Sequence, residues 1–181
     1  MTHRAVDDRP GTVVAAAGSH GVGVVLDGVF AHASRAFWRL ADPAELDDHR
    51  FARDHQGGLA PWRVDSLVTP DYDSAGYRSY VADVMTSWLD RGIAGWRLDS
   101  AWSVPAGFWH RVLTRVRETH PTAWFLGQAF DDDLPPVVNR TTVSSATEYA
   151  LTHGIREWLS EETGRGRGDD AAAPPAQQGR G

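Results

Sequence analysis

The chain has 181 residues, and 18 Lys plus Arg against 24 Asp plus Glu leave a formal net charge of −6. With 41% apolar and 23% charged residues it has a globular composition, which excludes wholesale disorder. The acidic balance, without any basic block, excludes nucleic acid as a partner, because phosphate would repel the chain rather than attract it.

Residues 1–20 hold few large apolar groups and an alanine run, Ala15-Ala16-Ala17, and are expected to be poorly ordered or a short helix. Val22 to Leu26 is a continuous aliphatic run ending in Asp27-Gly28, the pattern of a parallel strand buried on both faces. Residues 33–76 read as a long irregular loop of mixed charge, punctuated by Pro43, Gly57-Gly58, Pro61 and Pro70. Tyr77, Tyr80, Val81, Val84, Met85, Trp88 and Leu89 recur at helical spacing and predict an amphipathic helix closed by Gly92. Ile93 to Leu98 returns to strand character and ends at Asp99. Ser103 is a candidate N-cap, with Pro105 in the first turn, for a helix to about Glu118 that buries Phe108, Val112, Leu113 and Val116 and is stopped by His120-Pro121. Ala123 to Leu126 predicts a third strand, ending at Gly127-Gln128. A turn or short helix near Leu134 to Arg140, a weaker strand from Thr141 to Ser145 and a helix around Ile155 to Glu161 follow. From Gly164 the sequence is of low complexity and is expected to be disordered.

Strands alternating with helices predict an α/β fold with a parallel sheet. No glycine fingerprint follows the first strand, which argues against a doubly wound nucleotide-binding sheet. Asp27, Asp99 and Gln128 each stand at the carboxyl end of a strand, where eight-stranded α/β barrels gather their chemistry. The most specific string is Gly95-Trp96-Arg97-Leu98-Asp99-Ser100-Ala101. Two residues apart on a strand, Arg97 and Asp99 point to one face, so the guanidinium holds the carboxylate ionised and fixes its rotamer. Read alone, a structural ion pair is the plainer account, but the string does not stand alone.

Leu26-Asp27-Gly28-Val29-Phe30-Ala31-His32 resembles the first conserved region of the α-amylase family of glycoside hydrolases, family 13. Gly95 to Ala101 resembles the second, and Phe125-Leu126-Gly127-Gln128 the third. Their order and spacing agree with that family, as does the long segment after the first strand, where its small B domain is inserted. The resemblance implies a partial (β/α)8 TIM-type barrel over residues 21–163, with strands similar to the third to sixth, residues 33–76 in the B-domain position and 164–181 as a disordered tail. It further implies retaining hydrolysis of α-glucosidic bonds. Asp99 resembles the nucleophile, Arg97 its positioning arginine and Gln128 the acid/base position. Asp27 and His32 resemble substrate-side residues, and Trp102, just past the strand end, is the candidate sugar platform.

The departures shape the expected function. Gln128 is an amide without a transferable proton, and the family's fourth region, which supplies a further aspartate, does not occur downstream. Impaired catalysis on an α-glucan or maltooligosaccharide is therefore expected, the alternatives being a non-catalytic carbohydrate-binding protein or a decayed remnant. Ala31 stands where many members place a calcium-binding asparagine, so no cofactor and no metal are expected. Asp131-Asp132-Asp133 and the histidines at 49, 55, 110, 120 and 153 show no metal-ligand spacing. No apolar run is long enough to span a membrane, so no membrane partner is expected. The first residues lack the apolar core of a signal peptide, which makes the cytoplasm the default location. A partial barrel also leaves open edges through which copies could associate.

Overall fold

The computed structural model describes residues 9–37, 50–129, 138 and 142–165. Asp131-Asp132-Asp133, His49 and the tail beyond residue 165 lie outside the described residues, as does most of the turn expected at 134–140. The chain divides into two compact units, one ending at Thr147 and the other beginning at Glu148.

The first unit opens with helix α1 (Arg9–Ser19) and strand β1 (Val25–Gly28), followed by the short strands β2 (Ala33–Ser34), β3 (Pro61–Trp62) and β4 (Val64–Val68). Helix α2 (Ala75–Leu89), strand β5 (Gly95–Leu98), a 3-10 turn (Ala101–Ser103), helix α3 (Ala106–Thr119), strand β6 (Trp124–Gly127) and strand β7 (Ser145–Ala146) complete it. Strands β1, β5, β6 and β7 form one parallel sheet in that order, with Asp27 opposite Arg97 and Leu98 opposite Gly127. This is the expected α/β fold with a parallel sheet. A closed barrel takes eight such strands, and the described residues supply four.

The two long helices follow their periodicity. Ser74 caps α2 by accepting the Tyr77 N–H at 3.2 Å, and Gly92 turns the chain at φ 91°, a left-handed conformation that glycine adopts freely. Helix α2 buries Tyr77, Val81, Ala82, Met85 and Leu89, while α3 buries Phe108, Trp109, Val112, Leu113 and Val116. These stripes join Trp96, Leu98 and Phe125 of the sheet in one apolar core. Gly95 lets β5 and β6 approach: a Cβ there would lie 1.9 Å from the carbonyl oxygen of Trp124, closer than any side-chain atom tolerates.

Local boundaries differ from the sequence pattern for identifiable reasons. Ser103 does not cap α3; its hydroxyl donates to the Ser100 carbonyl at 2.8 Å, because a 3-10 turn intervenes and the helix starts only after Pro105. The first strand begins at Val25 rather than Val22, since its partner β5 begins at Gly95. The pairing of the last strand is confined to Ser145 and Ala146. Within 33–76 the chain is not wholly irregular, for β2, β4 and β3 form a small antiparallel sheet. Strands of two to five residues without clean alternation leave little local signal.

The second unit is described by helix α4 (Tyr149–Arg165), longer at both ends than the expected 155–161 segment, with Leu151, Ile155, Trp158 and Leu159 exposed.

Candidate functional site

The site is assembled where β1, β5 and β6 end. The parallel ladder runs past the strands: the Asp99 N–H donates to the Gly28 carbonyl at 3.0 Å and the Gln128 N–H to the Leu98 carbonyl at 2.9 Å. Asp27, Asp99 and Gln128 are thereby carried on three adjoining strand ends. Register then does the rest. Arg97 lies opposite Asp27 and two residues before Asp99, and one of its terminal nitrogens reaches both carboxylates, at 2.5 and 3.3 Å. Burial works against the guanidinium's charge, but Asp27 and Asp99 outweigh it and hold the group above its ordinary pKa. The Asp27 side chain is 60% exposed and that of Asp99 24%, so Asp99 is the more sheltered of the two carboxylates.

Asp99 is tied from the other side as well. Ser100 adopts a left-handed conformation, φ 48°, its hydroxyl donates to Asp99 at 3.2 Å, and its backbone N–H donates to the side-chain oxygen of the buried Gln128 at 3.0 Å. A continuous chain of polar contacts therefore runs from Asp27 through Arg97, Asp99 and Ser100 to Gln128. For a serine this backbone is strained by about 1 kcal/mol or more, and its bonds to Gln128 and Asp99 offset that cost. Trp102 joins the same end, its backbone N–H donating to the Gln128 backbone carbonyl at 3.2 Å.

His32 faces Asp99, whose charge favours the imidazolium, yet burial dominates and lowers its pKa below the ordinary 6.5. Its ring stacks on Trp62 with centroids 4.2 Å apart. The backbone that carries it is clamped: Tyr77 donates to the Phe30 carbonyl and Tyr72 to the Ala31 carbonyl, both at 2.7 Å. Burial raises both phenols, Tyr72 to about 12 and Tyr77 well above its usual value, so both stay protonated donors. An apolar cavity of about 320 Å³, lined by Val29, Phe30, Phe51, Tyr77 and Tyr80, borders His32.

A pH dependence follows from His32. In the unfolded chain its proton binds with the ordinary pKa of 6.5, in the folded chain with a lower one. Between the two values the unfolded state holds more protons, so stability is fully present above 6.5 and declines as pH falls through that window. The melting temperature is expected to drop more between pH 7 and pH 5 for the native chain than for His32→Gln, by circular dichroism; equal drops would show that His32 is not the group responsible.

All six residues singled out in the sequence, Asp27, His32, Arg97, Asp99, Trp102 and Gln128, thus lie at the carboxyl ends of the strands. Sequence reasoning missed Ser100, which orders the carboxylate, the clamping Tyr72 and Tyr77, and the pair Trp62 and Arg63. The Arg63 guanidinium lies 4.3 Å from the centre of the Trp102 ring and 5.4 Å from that of Trp62, so the expected sugar platform has an arginine over it. Nothing in the string Pro61 to Val64 announces this, because the partners are remote in sequence. Among the described residues no group of three His, Asp or Glu side chains converges on a common point.

No protein-family model matches the chain. Over 126 residues it is 25% identical to neopullulanase 2 of Thermoactinomyces vulgaris, covering 62% of this chain and 22% of that protein. Over 141 residues it is 29% identical to an alpha-1,4-glucan:maltose-1-phosphate maltosyltransferase of Bifidobacterium animalis subsp. lactis, covering 66% of this chain and 19% of that protein. The chain thus spans about a fifth of the length of these curated relatives. Among solved structures, the native debranching enzyme of Nostoc punctiforme superposes with a TM-score of 0.68 at 25% identity, over 78% of this chain and 32% of that one. The sheet is accordingly part of a (β/α)8 barrel whose strands correspond to the third to sixth. With three motifs in order at three successive strand ends, the chain is similar to part of the catalytic domain of the α-amylase family of glycoside hydrolases.

Proposed function

We propose that this chain recognises α-glucans in the manner of a retaining glycoside hydrolase and is impaired in cleaving them at the proton-donating step. The observation that carries the reading is Asp99: a sheltered carboxylate at a strand end, paired with Arg97 and oriented by Ser100. Retaining hydrolysis divides the work between two carboxyl groups, one attacking the anomeric carbon while the other protonates the departing oxygen and then activates water. Asp99 meets the first requirement. Gln128 takes the place of the second with an amide that hydrogen-bonds but yields no proton, so the acid step goes unserved. Arg97 fixes the carboxylate of Asp99 at 3.3 Å, and His32, neutral above pH 6.5, supplies a polar edge to the sugar.

We propose no calcium ion at Ala31. A methyl group offers no oxygen ligand, and the Ala31 carbonyl already accepts the Tyr72 hydroxyl.

Titration calorimetry with maltooligosaccharides, run beside a reducing-sugar assay, tests the reading. Saturable heat of binding with little release of reducing ends is expected. A cooperatively melting chain that binds no maltooligosaccharide would overturn it.

A further inference from the structure

Among the described residues Arg63 is an arginine without a carboxylate partner. Arg97 is bound to Asp27 and Asp99, Arg115 to Asp83, and Arg78 and Arg117 to backbone carbonyls. The contacts of Arg63 are with two indole rings, Trp102 and Trp62. Its backbone is left-handed, φ 55°, a conformation that favours glycine, and yet the position holds a long cationic side chain. A guanidinium held against aromatic rings keeps its in-plane N–H donors, and that planar fork suits paired oxygens of a carboxylate or phosphate. Here the fork is preorganised, because the two indoles fix the side chain before any ligand arrives.

The place of this cation matters as much as its availability. Trp102 follows Asp99 by three residues and bonds to Gln128, while Trp62 stacks on His32. Arg63 therefore bridges the two walls of the candidate site, at the tip of the β3–β4 hairpin. At the strand ends two carboxylates share one Arg97, so that part of the site repels anions. A neutral glucan makes no electrostatic use of Arg63. A ligand with an anionic group on the hairpin side makes full use of it, its sugar ring lying against indole and its oxyanion against the guanidinium.

We propose that Arg63, braced by Trp62 and Trp102, binds the phosphate of a phosphorylated saccharide at the mouth of the glucan site. This rests on the glucan-binding reading above. Phosphate fits better than carboxylate because it carries close to two charges at neutral pH and presents three acceptor oxygens to the fork.

The test is calorimetry on the full chain with maltose, its monophosphate esters and inorganic phosphate, for the native protein and for Arg63→Met. A monophosphate is expected to bind about tenfold or more tightly than maltose, a gap that shrinks with added salt and disappears in Arg63→Met while maltose affinity stays. Inorganic phosphate that binds alone, and loses its binding in Arg63→Met, identifies free phosphate rather than the ester as the source of the oxyanion. Should Arg63→Met fold poorly, Arg63→Gly suits the left-handed backbone and serves the same comparison. Equal affinity for maltose and every ester, or a gap that survives both substitutions, overturns the proposal while leaving glucan binding intact. If the folded chain does not bind maltose, the underlying reading fails instead, and with it this one.

Discussion

Gln128→Glu is expected to raise the release of reducing sugar from maltooligosaccharides by about 10² to 10⁴-fold over the native chain, the usual worth of a positioned general acid. The substitution is nearly isosteric. One carboxyl oxygen keeps the contact that the amide oxygen makes with the Ser100 N–H, so the left-handed turn and the orientation of Asp99 survive. What changes is the presence of a group able to protonate the departing oxygen. Two controls sharpen the outcome. With α-maltosyl fluoride, whose leaving group needs no proton, native chain and variant are expected to differ little. Adding Asp99→Asn to the variant is expected to remove the gain. A Gln128→Glu chain that binds glucan with native affinity and gains nothing would show that residue 128 is not placed to serve the leaving group.

The second large effect lies in the core beneath the site. Trp109 is fully buried, stacks edge-on against Phe108 with centroids 5.2 Å apart, and donates its indole N–H to the Ala101 carbonyl at 3.1 Å. Trp109→Ala is expected to cost about 3–5 kcal/mol. That is a large part of the roughly 5–15 kcal/mol that a domain has in total, so the urea midpoint falls steeply or the chain fails to fold. Trp109→Phe keeps most of the packing and loses the hydrogen bond, and a cost of about 1–2 kcal/mol is expected. Because Ala101 opens the turn that carries Trp102, the phenylalanine variant is also expected to weaken glucan binding. A loss below about 1 kcal/mol for Trp109→Ala would contradict the burial described.

The parts that were readable from sequence are those whose signal is local. Helices α2 and α3 follow from apolar residues three and four apart, and the parallel sheet follows from aliphatic runs separated by helical stretches. The positions of Asp27, Arg97, Asp99 and Gln128 follow because each motif is contiguous and sits at a strand end. What sequence did not disclose depends on encounters between distant segments. Arg63 meets Trp102 at a sequence separation of 39 residues, and Tyr77 meets Phe30 at one of 47. Neither residue type nor spacing foretells those partners. The strained Ser100 is hidden for another reason: its backbone angle is set by Gln128 and Asp99 together, and a serine after an aspartate is ordinary in sequence. Likewise Ser103 satisfied the rule for a helix cap, but tertiary context inserted a 3-10 turn and spent its hydroxyl on Ser100.

The two tyrosine hydroxyls that grip the carbonyls of Phe30 and Ala31 have a mechanical meaning. Tyr77 belongs to α2, and Tyr72 to the segment leading into it, so the loop bearing His32 is bolted to the scaffold at two successive peptide units. Most of the entropy of ordering that loop is spent during folding, before any sugar arrives, and His32 acts as a fixed wall rather than a closing flap. A ligand that met His32 would therefore meet a rigid contour already present in the free protein.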